Sequence, residues 1–140
     1  MSTNRMTERS QRYLVAALAA LSLAGCASVA SKTPEEMVRA RAAERAAAFV
    51  KGDIDASYRL TAPSYRKLRD VNAYKGTFGA GARWEKAEVK SVTCEPERCK
   101  AAIAVNVKPL IPGRFGDTIT VQFEEIWLLE EGNWWLHQGL

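Results

Sequence analysis

At Trp84 the apolar pattern of this 140-residue chain changes period, and that change constrains the fold more than any other feature. Before it, Val38, Ala42, Ala46 and Phe49 or Val50 recur at helical spacing, while Glu35, Arg39, Arg41 and Arg45 favour the other side. After it, apolar residues alternate. Residues 84–94 read as a first long strand, whose phase shifts between Val89 and Val92 as a bulge would require. Residues 99–108 follow, with Ile103, Val105 and Val107 on one face. Residues 109–117 read as a loop. Residues 118–129 carry the clearest strand pattern, with Ile119, Val121, Phe123, Trp127 and Leu129 sharing a face. Glu131, Gly132 and Asn133 turn the chain, and residues 134–138 return. Helices first, then a run of antiparallel strands, is the order of an α+β fold, with N-terminal helices packed on a curved antiparallel sheet.

The helical half carries its own punctuation. Thr33-Pro34-Glu35-Glu36 is a helix start: Thr33 caps, Pro34 suits the first position and Glu36 completes a capping box. Gly52 is placed to stop that helix. Asp53 or Asp55 can cap a second helix carrying Ile54, Tyr58 and Leu60, which Pro63 interrupts. Residues 64–68 make a further turn, residues 70–74 a third short helix, and residues 76–82 a glycine-rich, flexible connection.

Residues 1–25 have a different character. Arg5, Arg9 and Arg12 stand against one acid, Glu8, and an apolar run from Leu14 follows and ends in small residues. That is the layout of a secretory signal, and the run falls short of the ~20 apolar residues a spanning helix needs. Its last residues, Leu23-Ala24-Gly25-Cys26, resemble the lipobox of bacterial lipoproteins. The resemblance implies that Cys26 receives a diacylglyceryl group, that a peptidase cuts before it, and that residues 26–32 become a lipidated Cys and short tether. Two or three acyl chains anchor a protein stably where one does not. Ala27 in place of Asp implies the outer membrane, with the domain facing the periplasm. The alternatives are an ordinary secretory signal, or a buried helix with a chance Cys.

Without that leader, 115 residues remain, enough for one domain at residues 33–140. The leader supplies two of the four net positive charges. The remaining charges are interspersed, so no basic face argues for nucleic acid. Cys94 and Cys99 are then an even pair for an oxidising compartment and read as a disulfide clamping the turn at Pro96. Zinc is the rival, but it needs about four ligands and only His137 is an obvious further one. No cofactor is expected.

Phe49-Val50-Lys51-Gly52-Asp53, Tyr58, Pro63-Ser64-Tyr65, Glu125-Ile126-Trp127 and Glu131-Gly132-Asn133-Trp134-Trp135 together resemble the nuclear transport factor 2-like, or ketosteroid isomerase-like, superfamily. The resemblance implies helices wrapped against a strongly curved sheet, often with a pocket inside the cone. It hosts enzymes, binding modules and assembly parts, so the fold leaves function open. Glu125 shares strand parity with the apolar face, which would raise its pKa unless an Arg such as Arg66 pairs with it or a bulge turns it outward. The family's enzymes use a pocket carboxylate in this way, although their catalytic pattern does not map onto this chain residue by residue. His137, the single His, is a candidate proton shuttle or an ordinary surface residue. Tyr58, Tyr65 and Tyr74 either line a pocket or fill a core. Phe115, in an apolar loop at residues 110–116, is a contact for a partner or a lid over the sheet.

The reading that follows is a membrane-anchored periplasmic lipoprotein domain, non-catalytic, binding a protein partner or small ligand of the cell envelope. An isomerase or dehydratase using Glu125 is the rival. Nothing in the sequence requires a dimer.

Overall fold

The computed structural model describes residues 31–78, 83–109 and 118–140. Four helices precede four strands: α1 (Pro34–Lys51), α2 (Ile54–Arg59), α3 (Pro63–Leu68), α4 (Val71–Phe78), β1 (Arg83–Glu95), β2 (Arg98–Lys108), β3 (Ile119–Glu130) and β4 (Asn133–Leu136). The strands form one antiparallel sheet in the order β1-β2-β3-β4, and residues 32–140 make one compact unit. The α+β expectation therefore holds. The leader, Cys26 and the loop bearing Phe115 lie outside the described residues.

Helix α1 starts as its sequence dictates. Thr33 Oγ1 accepts from the Glu36 amide at 3.2 Å, and the Thr33 amide donates to Glu36 Oε2 at 2.9 Å. It ends at Gly52, whose φ of 74° suits a residue without Cβ. Asp53, rather than Asp55, caps α2 through the Ala56 amide at 2.9 Å; Asp55 pairs with Lys75 at the surface. Asp70 accepts from the Ala73 amide at 2.8 Å at the start of α4. That helix runs to Phe78, so Gly76 and Thr77 are helical rather than part of a flexible connection. Tyr74, fully buried, and Phe78 pack ring to ring at 4.6 Å and hold the last turns in place against the low helix propensity of glycine.

The sheet curls. Strand β1 slips register twice against β2, between Trp84 and Lys86 and between Val89 and Ser91. The second slip is the bulge its apolar phase predicts; the first has no counterpart in the apolar pattern. Bulges bend and twist a strand. As a result Trp84 on β1 and Phe123 on β3 approach to 5.8 Å across the intervening β2. Inside the curl, Cys99, Ala101, Ile103 and Val105 of β2 and Trp127 of β3 are buried with Val38 and Ala42 of α1. Arg39 fastens α1 to the sheet by donating to the Val89 carbonyl at 3.0 Å.

The β1–β2 and β3–β4 turns are tight. Cys94 and Cys99 face each other in register one pair before the Pro96–Glu97 turn and are joined by a disulfide. Glu131 and Gly132, with φ of 53° and 75°, form the two-residue loop between β3 and β4, the handedness that matches strand twist. Strand β4 is sealed on its far side by the segment between α2 and α3. The Ala62 amide donates to the Leu136 carbonyl at 3.0 Å, and the Leu136 amide to the Leu60 carbonyl at 2.9 Å.

Candidate functional site: a buried ion pair inside the curl

Glu125 points where strand parity sends it, into the apolar face opposite Ala101 of β2. It is 5% exposed. Its partner is Arg45 of α1, not Arg66: Arg45 Nη1 donates to Glu125 Oε1, and Trp127 Nε1 donates to Glu125 Oε2 at 3.1 Å. Both carboxylate oxygens are thus engaged. Arg66 instead donates to the backbone carbonyls of Arg59 and Thr61.

Arg45 corrects the reading of α1 as having all its arginines on the outer side. It too is only 5% exposed. It lies seven residues after Val38 and three after Ala42, so helical geometry carries it onto the stripe those residues define. That spacing was the available signal, and the charge of the side chain hid it. The guanidinium stacks over the Phe49 ring at 4.6 Å. Phe49 in turn stacks on Trp84 at 4.6 Å, extending an aromatic line to Phe123. Arg45 Nε has no hydrogen-bond partner among the described residues.

The electrostatics follow from this packing. Burial pushes the Glu125 carboxyl above its ordinary value, opposed by the attraction of Arg45 and by the hydrogen bonds from Trp127 and Arg45. A general base must lie within hydrogen-bond reach of its substrate's proton, and Glu125 is buried. Here one oxygen is tied to a cation and the other to an indole, so the arrangement favours a fixed structural charge pair.

The remaining candidates are placed elsewhere. Tyr65 and Tyr74 form a second core cluster with Ala62, and Tyr58 packs against it. The Tyr74 hydroxyl and Ser57 Oγ share a buried hydrogen bond of 2.7 Å. The Tyr58 hydroxyl donates to the Arg69 carbonyl at 2.8 Å. Burial raises the pKa of Tyr65, which also borders a cleft of about 260 Å³ with Arg69, Thr77 and Gln138. His137 follows the last strand, exposed, its amide donating to the Ile126 carbonyl at 2.7 Å. The structure thus gathers the tyrosines into one cluster, whereas Glu125 bonds to Trp127 of the other. Among the described residues, no group of His, Cys, Asp or Glu is gathered to hold a metal, and no helix is long and apolar enough to cross a membrane.

No protein family matches the chain, and no curated protein matches it. Solved structures do. A SEC-C motif containing protein from Rhodopseudomonas palustris is 18% identical, with 77% of each chain covered and a TM-score of 0.54. One from Psychrobacter arcticus is 14% identical over 78% of this chain and 63% of its own, with a TM-score of 0.58. TsrD from Streptomyces laurentii is 17% identical over 76% of this chain and 87% of its own, with a TM-score of 0.56. These likenesses describe a shared α+β fold.

Proposed function

We propose that the chain is a bacterial lipoprotein, held at the outer membrane by lipid on Cys26. Its nuclear transport factor 2-like domain would be a non-catalytic binding module for a protein partner or small ligand of the envelope. The observation that carries the non-catalytic reading is the burial of Glu125 and its pairing with Arg45 and Trp127. The leader ending in Leu23-Ala24-Gly25-Cys26 and the bonded Cys94–Cys99 pair support an oxidising, extracytoplasmic address. The half-buried aromatics Phe49, Trp84 and Phe123 supply apolar contact area for a ligand or partner. A tethered module gains from high local concentration of whatever it binds.

The test joins intact mass with fractionation. The mature chain should begin at Cys26, carry acyl mass and stay with membranes, and Cys26→Ser should yield an uncleaved or soluble product. Unchanged mass and unchanged retention in Cys26→Ser would refute the anchor. For the module, Phe115→Ser or Phe123→Ser should lose a crosslinked envelope partner that the parent chain captures. Crosslinking identical to the parent's would refute the contact surface. The raised pKa of Glu125 favours one rival, a ketosteroid isomerase-like isomerase or dehydratase. Turnover of a ketosteroid-type substrate that Glu125→Gln abolishes would establish it.

A further inference from the structure

Between Asp55 and Asp70 the chain carries Arg59, Arg66, Lys67 and Arg69 and no acid. Helix α3 and its C-cap Arg69 carry three of these cations, spread around the helix end, as a cationic platform. Tyr65 buries one side of the helix. Arg66 is locked by its bond to the Arg59 carbonyl at 3.0 Å and by stacking on Trp135 at 4.9 Å. Arg41 of α1 stacks on the same indole at 4.6 Å, adding a fifth cation. The Arg69 carbonyl is held by Tyr58. The nearby acids include Glu130, whose carboxylate accepts from the Ser64 amide and hydroxyl, Asp70, which caps α4, and Asp55, one turn before Arg59 and paired with Lys75.

From this platform Leu68 projects at 68% exposure, with Lys67 and Arg69 exposed on either side. A lone exposed leucine is unremarked on most surfaces. An apolar side chain framed by two long cations on a fixed helix end is the arrangement that suits a bilayer surface. The leucine enters the headgroup region, while the flanking cations lay their stems along it and keep their charges at the phosphates. Arg69 also borders the cleft of about 260 Å³ that Thr77 and Gln138 line with polar groups, which leaves room for a phosphate-bearing headgroup beside the inserted leucine.

We propose that the exposed end of α3, Lys67 to Arg69, is a docking surface for an anionic lipid bilayer, with Leu68 as the inserted residue and Lys67 and Arg69 as phosphate contacts. The inference goes beyond the lipid on Cys26 and does not depend on it. Charge complementarity selects the partner, because each Lys or Arg near an anionic leaflet strengthens binding about fivefold.

The test uses the chain from residue 26 onward, without the basic, apolar leader, with Cys26→Ser and Leu68→Cys, labelled at position 68 with a polarity-sensitive fluorophore. A second chain with Cys26→Ser, labelled at Lys100→Cys on the exposed side of β2, serves as control. Each is mixed with vesicles of phosphatidylcholine alone or of phosphatidylcholine with phosphatidylglycerol. The expected result is a blue shift at position 68 with the anionic vesicles only, reversed by high salt, and no shift at position 100. Lys67→Glu with Arg69→Glu should abolish the shift while leaving circular dichroism unchanged. A probe at 68 that stays in water with anionic vesicles overturns the proposal. So does an equal shift with neutral vesicles, or an equal shift with a soluble polyanion and no vesicle.

Discussion

Replacing Arg45 by Met removes the cation inside the curl while keeping most of the volume of its stem. Both members of the pair are nearly sealed from water, with side-chain exposures of 6% and 5%, so solvent screening is weak. The loss should therefore follow the range for breaking a buried pair, about 3–5 kcal/mol, rather than the ~0–1 kcal/mol of surface bridges. Glu125 has a partial escape, because it can take up a proton. Burial already raises its pKa, and losing Arg45 raises it further. The folded chain then binds more protons than the unfolded chain between the unfolded carboxyl value of about 4.3 and the raised folded value. Stability accordingly falls as pH rises through that window. Arg45→Met should be least damaging at the acid end and most damaging near neutrality. Glu125→Gln should differ, because no titrating carboxyl is left at the site and the variant loses the pH dependence that this residue gives the parent chain. The double variant, with both charges gone, should be more stable than the summed losses imply by about 0.5–3 kcal/mol. Urea titrations at acid and neutral pH, followed by fluorescence of the buried Trp127 and Trp134, give all four corners of the cycle. Single losses under ~1 kcal/mol, additive effects in the double variant, or a pH-independent deficit in Arg45→Met would refute the account.

Further expectations concern local features. Glu131→Asn should raise stability by about 0.5–1 kcal/mol, since Asn accepts positive φ at that turn position more readily; a lowered melting temperature would contradict it. Thr33→Ala should cost about 1 kcal/mol in denaturant titration by removing the capping box of α1. Reducing the Cys94–Cys99 bond should cost roughly 2 kcal/mol, because so short a loop restrains the unfolded chain only modestly; thiol labelling of the denatured, unreduced protein should find neither Cys free. Tyr74→Phe strands the buried Ser57 hydroxyl and should cost about 1–3 kcal/mol by the same titration.

Much of the architecture is legible in the residues because its causes are local. The capping box at Thr33, the stop at Gly52, the bulge after Val89 and the turn at Glu131–Gly132 each rest on contacts within a few residues. The pairing of Cys94 with Cys99 is similarly short-range. What the sequence hides is set by distant neighbours. Arg45 looks like a solvent-facing residue until β3 brings Glu125 against it, 80 residues along the chain. Gly76 looks like a breaker until Tyr74 and Phe78 anchor the helix around it. Glu125 shows the boundary within one residue: its burial is legible from strand alternation, whereas its partner is a tertiary choice that alternation does not encode.

The short strip Leu60–Ala62, which seals the outer side of β4, has a consequence for how the molecule opens. The Leu136 amide donates into the helical half of the chain, yet Leu136 is also the register partner of Trp127 in the sheet. To free that amide, the segment joining α2 to α3 must peel away from the last strand, which also exposes the buried Thr61 and Leu60. The helices and the sheet are therefore coupled into one cooperative unit at this seam. Hydrogen exchange at Leu136 and Ala62 should proceed only through global unfolding, as slowly as at the centre of β2, even though both lie at the border of the sheet.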